Sequence, residues 1–132
     1  MEIDFGVAVG QLAIRTREGV EVVDLTARVE AFLEAAALEA GWVNVHSRHA
    51  AAGIAVNENG PGLAPDARAG APPLRTAQTV AVAAGRLQLP PRQRVLLVEL
   101  DGPREREVSM FALGERRREA LKAPAAEAGS PS

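Results

Sequence analysis

Near the C-terminal end of this 132-residue chain, Arg94 to Leu100 read "RVLLVEL". A run so nearly unbroken in branched apolar side chains suits a central β-strand covered on both faces, because a half-exposed strand alternates apolar with polar residues. Glu99 falls inside it. A carboxylate carried into such an interior must find a cation or give up its charge. The run therefore requires covering layers on either side and an arginine within reach. Arg75, Arg86, Arg92, Arg94 and Arg104 are the candidate partners, and an ion pair at a subunit interface is the expected arrangement.

The flanking segments supply those layers. "VAVGQLAIRT" (7–16) and "GVEVVDL" (19–25) have the small and β-branched content of strands. From Leu25 the period changes: Leu25, Val29, Phe32, Leu33, Ala36 and Ala40 recur at helical spacing, Asp24 or Thr26 can cap the start, and Gly41 offers a left-handed stop. The spacing predicts a helix over 26–40. "WVNVHSRH" then alternates, with Val43, Val45, Ser47 and His49 on one face and Trp42, Asn44, His46 and Arg48 on the other. On that parity the two histidines point to opposite sides of the sheet and cannot ligate one ion together.

"AAAGIAVNENG" reads as a strand ending in a hairpin turn at Asn59-Gly60. Residues 60–73, rich in Gly, Pro and Ala, read as a loop without regular structure. "QTVAVA" and "RLQLP" follow as strands joined by a turn at Ala84-Gly85, and "DGPRER" turns "RVLLVEL" back into "EVSMFAL" as a closing hairpin. Beyond Gly114 the charged stretch "ERRREALKAPAAEAGSPS" reads as a flexible tail, with Arg116 to Arg118 on a solvated helix face between Glu115 and Glu119. The expected fold is α+β: a β-rich sandwich of mostly antiparallel strands with one main helix, forming a single domain over 1–113 with 114–132 as its tail.

Composition excludes several classes of partner. With 15 basic and 17 acidic residues the net charge is -2, so no electrostatic attraction favours nucleic acid or an anionic membrane. Three Phe, one Trp and no Tyr leave few rings on which single-stranded bases could stack. The absence of cysteine removes thiol nucleophiles and thiolate metal sites. The N-terminal stretch has acids at Glu2 and Asp4 and an apolar run broken by Gly10-Gln11, and no run approaches membrane-spanning length. A soluble cytoplasmic protein is expected.

The residues with chemistry gather in "HSRHAAAGIAVNENG" (46–60), which holds both histidines of the chain. His49 and Glu58 are the candidate acid/base pair, with Asn57 and Asn59 either positioning Glu58 or serving the turn. A transition-metal site wants three or four ligands, and His49 with Glu58 or Glu99 falls short, so neither metal nor other cofactor is expected. The alternative for His49 is a half-buried imidazole bonded to a neighbouring carboxylate or backbone carbonyl. No phosphate-cradling loop and no nucleophile elbow occur, and Ser47 and Ser109 lie in strand-like stretches.

Three segments in this order, "GVEVVDLTARVEAFL" (19–33), "HAAAGIAVNEN" (49–59) and "AGRLQLPPRQRVLLVELDGPRERE" (84–107), resemble the YjbQ family, small proteins also named secondary thiamine-phosphate synthase enzymes. The resemblance implies a compact α+β sandwich, usually a homotrimer, with a polar pocket of several histidines that some members use to bind metal. It assigns His49 and Glu58 to that pocket and Asn57, Asn59, Gln93, Glu99 and Arg104 to the pocket or an interface. The departures are specific. Ala50 and Ala51 stand where the family has two hydroxyl residues. The later histidine-containing elements are replaced by the loop over 60–73. The family's Gly-Thr-Trp-Gln-Gly is Pro90-Pro91-Arg92-Gln93-Arg94, which keeps only Gln93. The site thus reads as stripped, and the expected protein is a trimeric, non-catalytic or catalytically degraded binding or scaffold module for a small molecule. The alternative is a weak transferase joining a pyrimidine diphosphate to a thiazole phosphate.

Overall fold

A computed structural model describes residues 4–68 and 74–117. Its elements in chain order are β1 (Phe5–Arg15), β2 (Glu21–Asp24), α1 (Thr26–Ala35), β3 (Leu38–Ser47), β4 (Ala52–Asn57), α2 (Leu63–Arg68), β5 (Ala77–Ala83), β6 (Arg86–Leu87), β7 (Arg94–Glu99) and β8 (Glu105–Arg116). They form a five-stranded sheet in the order β1-β8-β3-β5-β6 and a three-stranded sheet in the order β2-β7-β4. All the strand pairings are antiparallel. The α+β sandwich is as the sequence implies.

The interior lies between the two sheets and α1. Val43 and Val45 of β3, Val80 and Val82 of β5 and Val108 and Met110 of β8 meet Ile54 of β4 and Val95 and Leu97 of β7, with Leu25, Val29 and Leu33 closing one side. The other face of β7, Leu96 and Val98, packs on Leu63. Strand β7 is therefore central and covered on both faces, the arrangement its apolar run calls for. Leu63 also explains why the first part of the segment expected as a plain loop, Leu63–Arg68, is helical; residues 69–73 lie outside the described residues. The burial of Leu63 anchors the short helix α2, in which Pro65 occupies the first turn, where a missing backbone N–H costs nothing.

Two further expectations are corrected. Helix α1 stops at Ala35 rather than Ala40: Ala37 takes the left-handed conformation, φ 57°, and Leu38 already begins β3. Strand β8 captures these residues, pairing Leu38 with Arg116 and Gly41 with Gly114. Gly41 is thus no helix stop; with Gly114 it lets β3 and β8 approach closely, since a Cβ at either would come within 2.1 Å of a backbone oxygen of the other strand. The strand runs past residue 113, and Arg116 and Arg117 leave no solvated helix face there. The Arg116 Nε–H donates to Ala36 O (3.2 Å), and the Arg117 backbone N–H donates to Ala37 O (2.9 Å). These arginines satisfy carbonyls that the end of α1 leaves open. Arg118 and the rest of the tail lie outside the described residues.

The second correction concerns β7 and β8, which form no hairpin. They belong to different sheets, and the connection 100–104 crosses from one to the other. The crossing is held by Glu99, wholly buried, whose partner is none of the five candidates but Arg106 of the same chain. The Arg106 Nε–H and Nη2–H donate to Glu99 Oε1 (2.8 Å) and Oε2 (2.6 Å), so the contact is bidentate and lies inside the subunit, not at an interface. The Thr16 hydroxyl and the Asp101 N–H donate to the same carboxylate at 2.8 and 2.9 Å. Gly102 packs behind it, where a Cβ would lie 2.2 Å from Glu18 O.

Burial alone would push the Glu99 carboxyl upward, but the hydrogen bonds from Arg106, the Asp101 N–H and Thr16 outweigh it and hold the group at about 2, below its ordinary 4.5. A carboxyl depressed by folding contributes stability that is complete above its unfolded pKa and disappears as pH falls through its folded one. Unfolding free energy measured with urea should accordingly fall between about pH 4.5 and about pH 2, and Glu99→Gln should flatten that dependence. Arg106→Leu, which strands the buried charge, should cost about 3–5 kcal/mol near neutral pH.

Candidate functional site

Where β3 ends at Ser47, the chain turns through 48–51 before β4. Ser47 holds the turn: its buried hydroxyl donates to Ala52 O (2.5 Å) and accepts the His49 N–H (3.2 Å). Strand parity therefore ceases to apply beyond Ser47. His49 swings toward the end of β8, and its Nε2 accepts the Glu107 backbone N–H at 3.1 Å. The acceptor role leaves the proton of the neutral imidazole on Nδ1. The partner is neither a carboxylate nor a carbonyl, as the sequence suggested, but a donor.

His49, Ala50 and Ala51 face Asp101, Arg104 and Arg106 across an open cleft of about 590 Å³. Arg104 is positioned by its own loop, Nε–H to Asp101 O (3.0 Å) and Nη2 to the Asp101 carboxylate (3.3 Å), while its backbone N–H donates to the Thr16 hydroxyl (2.9 Å). The buried Glu99–Arg106 pair forms the floor on which this loop stands. One wall is thus charged, and the other carries the His49 imidazole beside two methyl groups.

The Asn-Glu-Asn segment is not in this cleft. Ala52 pairs with Glu99 at one end of β4 and Asn57 with Arg94 at the other, a separation of about 17 Å at the usual strand rise of about 3.3 Å per residue. At that far end the Asn57 side-chain oxygen accepts the Glu58 N–H (2.7 Å), and the Glu58 carboxylate meets Arg92 Nε at 3.2 Å in solvent. Asn59 is exposed. Gln93 serves a turn, its N–H donating to Pro90 O (3.0 Å) beside Arg92 at φ 67°. Within one subunit His49 and Arg104 line the same cleft, Glu99 lies buried beneath it against Arg106, and Glu58, Asn57, Asn59 and Gln93 are apart. Among the described residues no group of three or more His, Asp or Glu is placed to hold a metal ion, and no helix is long and apolar enough to cross a membrane.

Sequence reading missed Arg106, although the signal was present: in "EREVSMF" Arg106 shares its alternation face with Val108 and Met110, and a charged residue on the core-facing side requires a buried counter-ion. It also missed that His46 and His49 border one cleft, on the opposite side of His49 from Arg104.

The class defined by these features is a two-sheet α+β sandwich whose crossing loop faces a histidine-bearing turn. Residues 10–74 match the model of the family described as UPF0047 protein YjbQ-like. A UPF0047 protein of Methanothermobacter thermautotrophicus is 31% identical over 130 residues, covering 80% of this chain and 91% of that protein. One from Archaeoglobus fulgidus is 30% identical over 78% of this chain and 99% of its own length. The crystal structure of a YbjQ-like protein of unknown function from Sulfolobus solfataricus P2 superposes with a TM-score of 0.76 at 28% identity, covering 85% of this chain and all (100%) of that one. A hypothetical protein from Aeropyrum pernix K1 gives 0.73 at 32% identity over 82% of this chain and 99% of its own. The chain belongs to the YjbQ family.

Replacing Ser47 by Ala should lower the unfolding free energy by about 1–3 kcal/mol by orphaning buried backbone groups. Glu58→Ala, which removes a solvent-exposed ion pair, should stay within about 0.5 kcal/mol. Urea denaturation of the two variants beside the wild type reads both.

Proposed function

We propose that this chain is a non-catalytic binding module of the YjbQ family, a cytoplasmic homotrimer that holds a small polar molecule in the cleft between His49 and Arg104. The observation that carries this reading is the state of His49. Its Nε2 lone pair is occupied by the Glu107 N–H, and in the neutral ring Nδ1 carries the proton, so the imidazole offers a donor to a ligand rather than a lone pair to a metal or a substrate proton. Glu58, the candidate acid/base companion, is tied to Arg92 at the distant end of β4. Ala50 and Ala51 line the cleft without adding a polar group.

Assembly is supported by the outer face of the five-stranded sheet. Val7, Leu113 and Trp42 form one row across β1, β8 and β3, and Val9 and Phe111 form the next. Phe5, Val7 and Val9 are more than 60% exposed, at 64%, 63% and 62%. A contiguous apolar patch of this kind marks a contact surface.

Light scattering on the purified chain should return three times its 13.8 kDa, and Val7→Lys with Val9→Lys should return the monomer. A monomeric wild type overturns the assembly. Incubation with the pyrimidine diphosphate and thiazole phosphate should yield no thiamine phosphate; product that disappears in His49→Ala overturns the non-catalytic reading.

A further inference from the structure

Asn59-Gly60, just past the end of β4, borders neither of the clefts beside His49. It makes no hairpin either. Strand β4 leads on to α2, and neither residue takes the positive φ that a tight hairpin turn needs. An asparagine followed by glycine in an exposed connection is open to one specific reaction, attack of the glycine nitrogen on the asparagine side chain. We propose that Asn59 is a self-modification site, at which ring closure onto Gly60 converts the side-chain amide into aspartate and isoaspartate.

The reaction consumes water and releases ammonia, with no other co-reactant. The Gly60 backbone nitrogen, its proton lost to solvent base, bonds to Asn59 Cγ while the Cγ–Nδ2 bond breaks and the side-chain nitrogen leaves as ammonia. A cyclic imide remains. Water then adds to one of its carbonyl carbons, and the bond from that carbon to the Gly60 nitrogen breaks. Opening at Cγ gives aspartate on an unchanged backbone. Opening at the main-chain carbon leaves the chain running through Cβ and Cγ, which is isoaspartate.

The structure selects Asn59 among the asparagines of the chain, which stand at 44, 57 and 59. Asn44 lies in β3, paired on both sides; its amide donates to the Thr79 hydroxyl (3.0 Å), and the buried, branched Val45 follows it. At Asn57 the side-chain oxygen accepts the Glu58 N–H (2.7 Å), so the nitrogen that would attack faces the oxygen rather than Cγ. Asn59 is exposed, and among the described residues no hydrogen bond holds its side chain. Gly60 brings no side chain to shield the reacting atoms, and where its Cβ would stand nothing lies within 4 Å. The attacking N–H bonds only to Glu58 O (3.0 Å), outside both sheets, so its release disturbs no strand pairing. The products act on close neighbours. A new carboxylate joins Glu58 beside Arg92, and isoaspartate adds a carbon to the backbone just before the turn that the Leu63 N–H closes onto Gly60 O (3.2 Å).

Incubation of the full folded chain at mildly alkaline pH, followed by mass spectrometry of tryptic peptides 29–48 and 49–68 against an unincubated control, tests this. The amide of Asn59 should be lost, as both acid isomers and in proportion to hydroxide, while Asn44 and Asn57 stay intact. Ion exchange should show the matching shift to a form one charge more negative than the starting -2. Gly60→Ala, whose methyl group meets open space at an ordinary φ, should leave thermal unfolding unchanged and lose the conversion. Conversion at Asn57 as fast as at Asn59, or an undiminished rate in Gly60→Ala, overturns the proposal. Conversion seen only in the urea-unfolded chain also overturns it, because the fold then guards Asn59 instead of exposing it.

Discussion

The bidentate contact between Glu99 and Arg106 joins the two sheets at the point where the chain passes from one to the other. Its carboxylate also accepts from Thr16 at the end of β1 and from the Asp101 N–H, so one buried charge gathers β1, β7, β8 and the crossing loop. Replacing such a pair with apolar groups need not cost stability. What an apolar substitute lacks is direction: four hydrogen bonds at defined angles fix where residues 101–104 stand, and with them Arg104. The site's geometry therefore depends on a residue that touches no solvent.

A similar economy governs the opposite wall. Ser47 binds both ends of the 47–52 turn through a single hydroxyl, and His49 is then held by a backbone N–H of β8. The turn separates two clefts with different chemistry. Toward Arg104 the lining mixes acid and base; toward Ser109 it carries donors and an aromatic ring. His49 and Ala50 border both.

Much of this was legible in advance because it rests on local pattern. The apolar run of β7 implied two covered faces, the Ala84-Gly85 turn followed from its residues, whose φ values of 52° and 74° suit a tight hairpin, and the family resemblance rested on ordered motifs. The failures share one cause. Helix α1 was read too long because Ala36 to Ala40 suit either a helix or a strand, and pairing with β8 decided the matter. Arg116 and Arg117 looked solvated because helical carbonyls needing donors are invisible until the helix end is placed. The β7–β8 hairpin was inferred from adjacency, whereas a buried ion pair can turn a chain between layers as well as within one.

The sequence by itself determined which residues must be inside: a strand period of two and a helical period of 3.6 sort side chains by face wherever the backbone is regular. It also determined that Glu99 needed a counter-ion. Only the tertiary structure decided which arginine answers, that His46 and His49 border one cleft across a broken strand, and that Glu58 lies far from both. Those outcomes depend on where strands end and on which sheet each one joins. They are settled by long-range pairing and packing, about which periodicity carries no information.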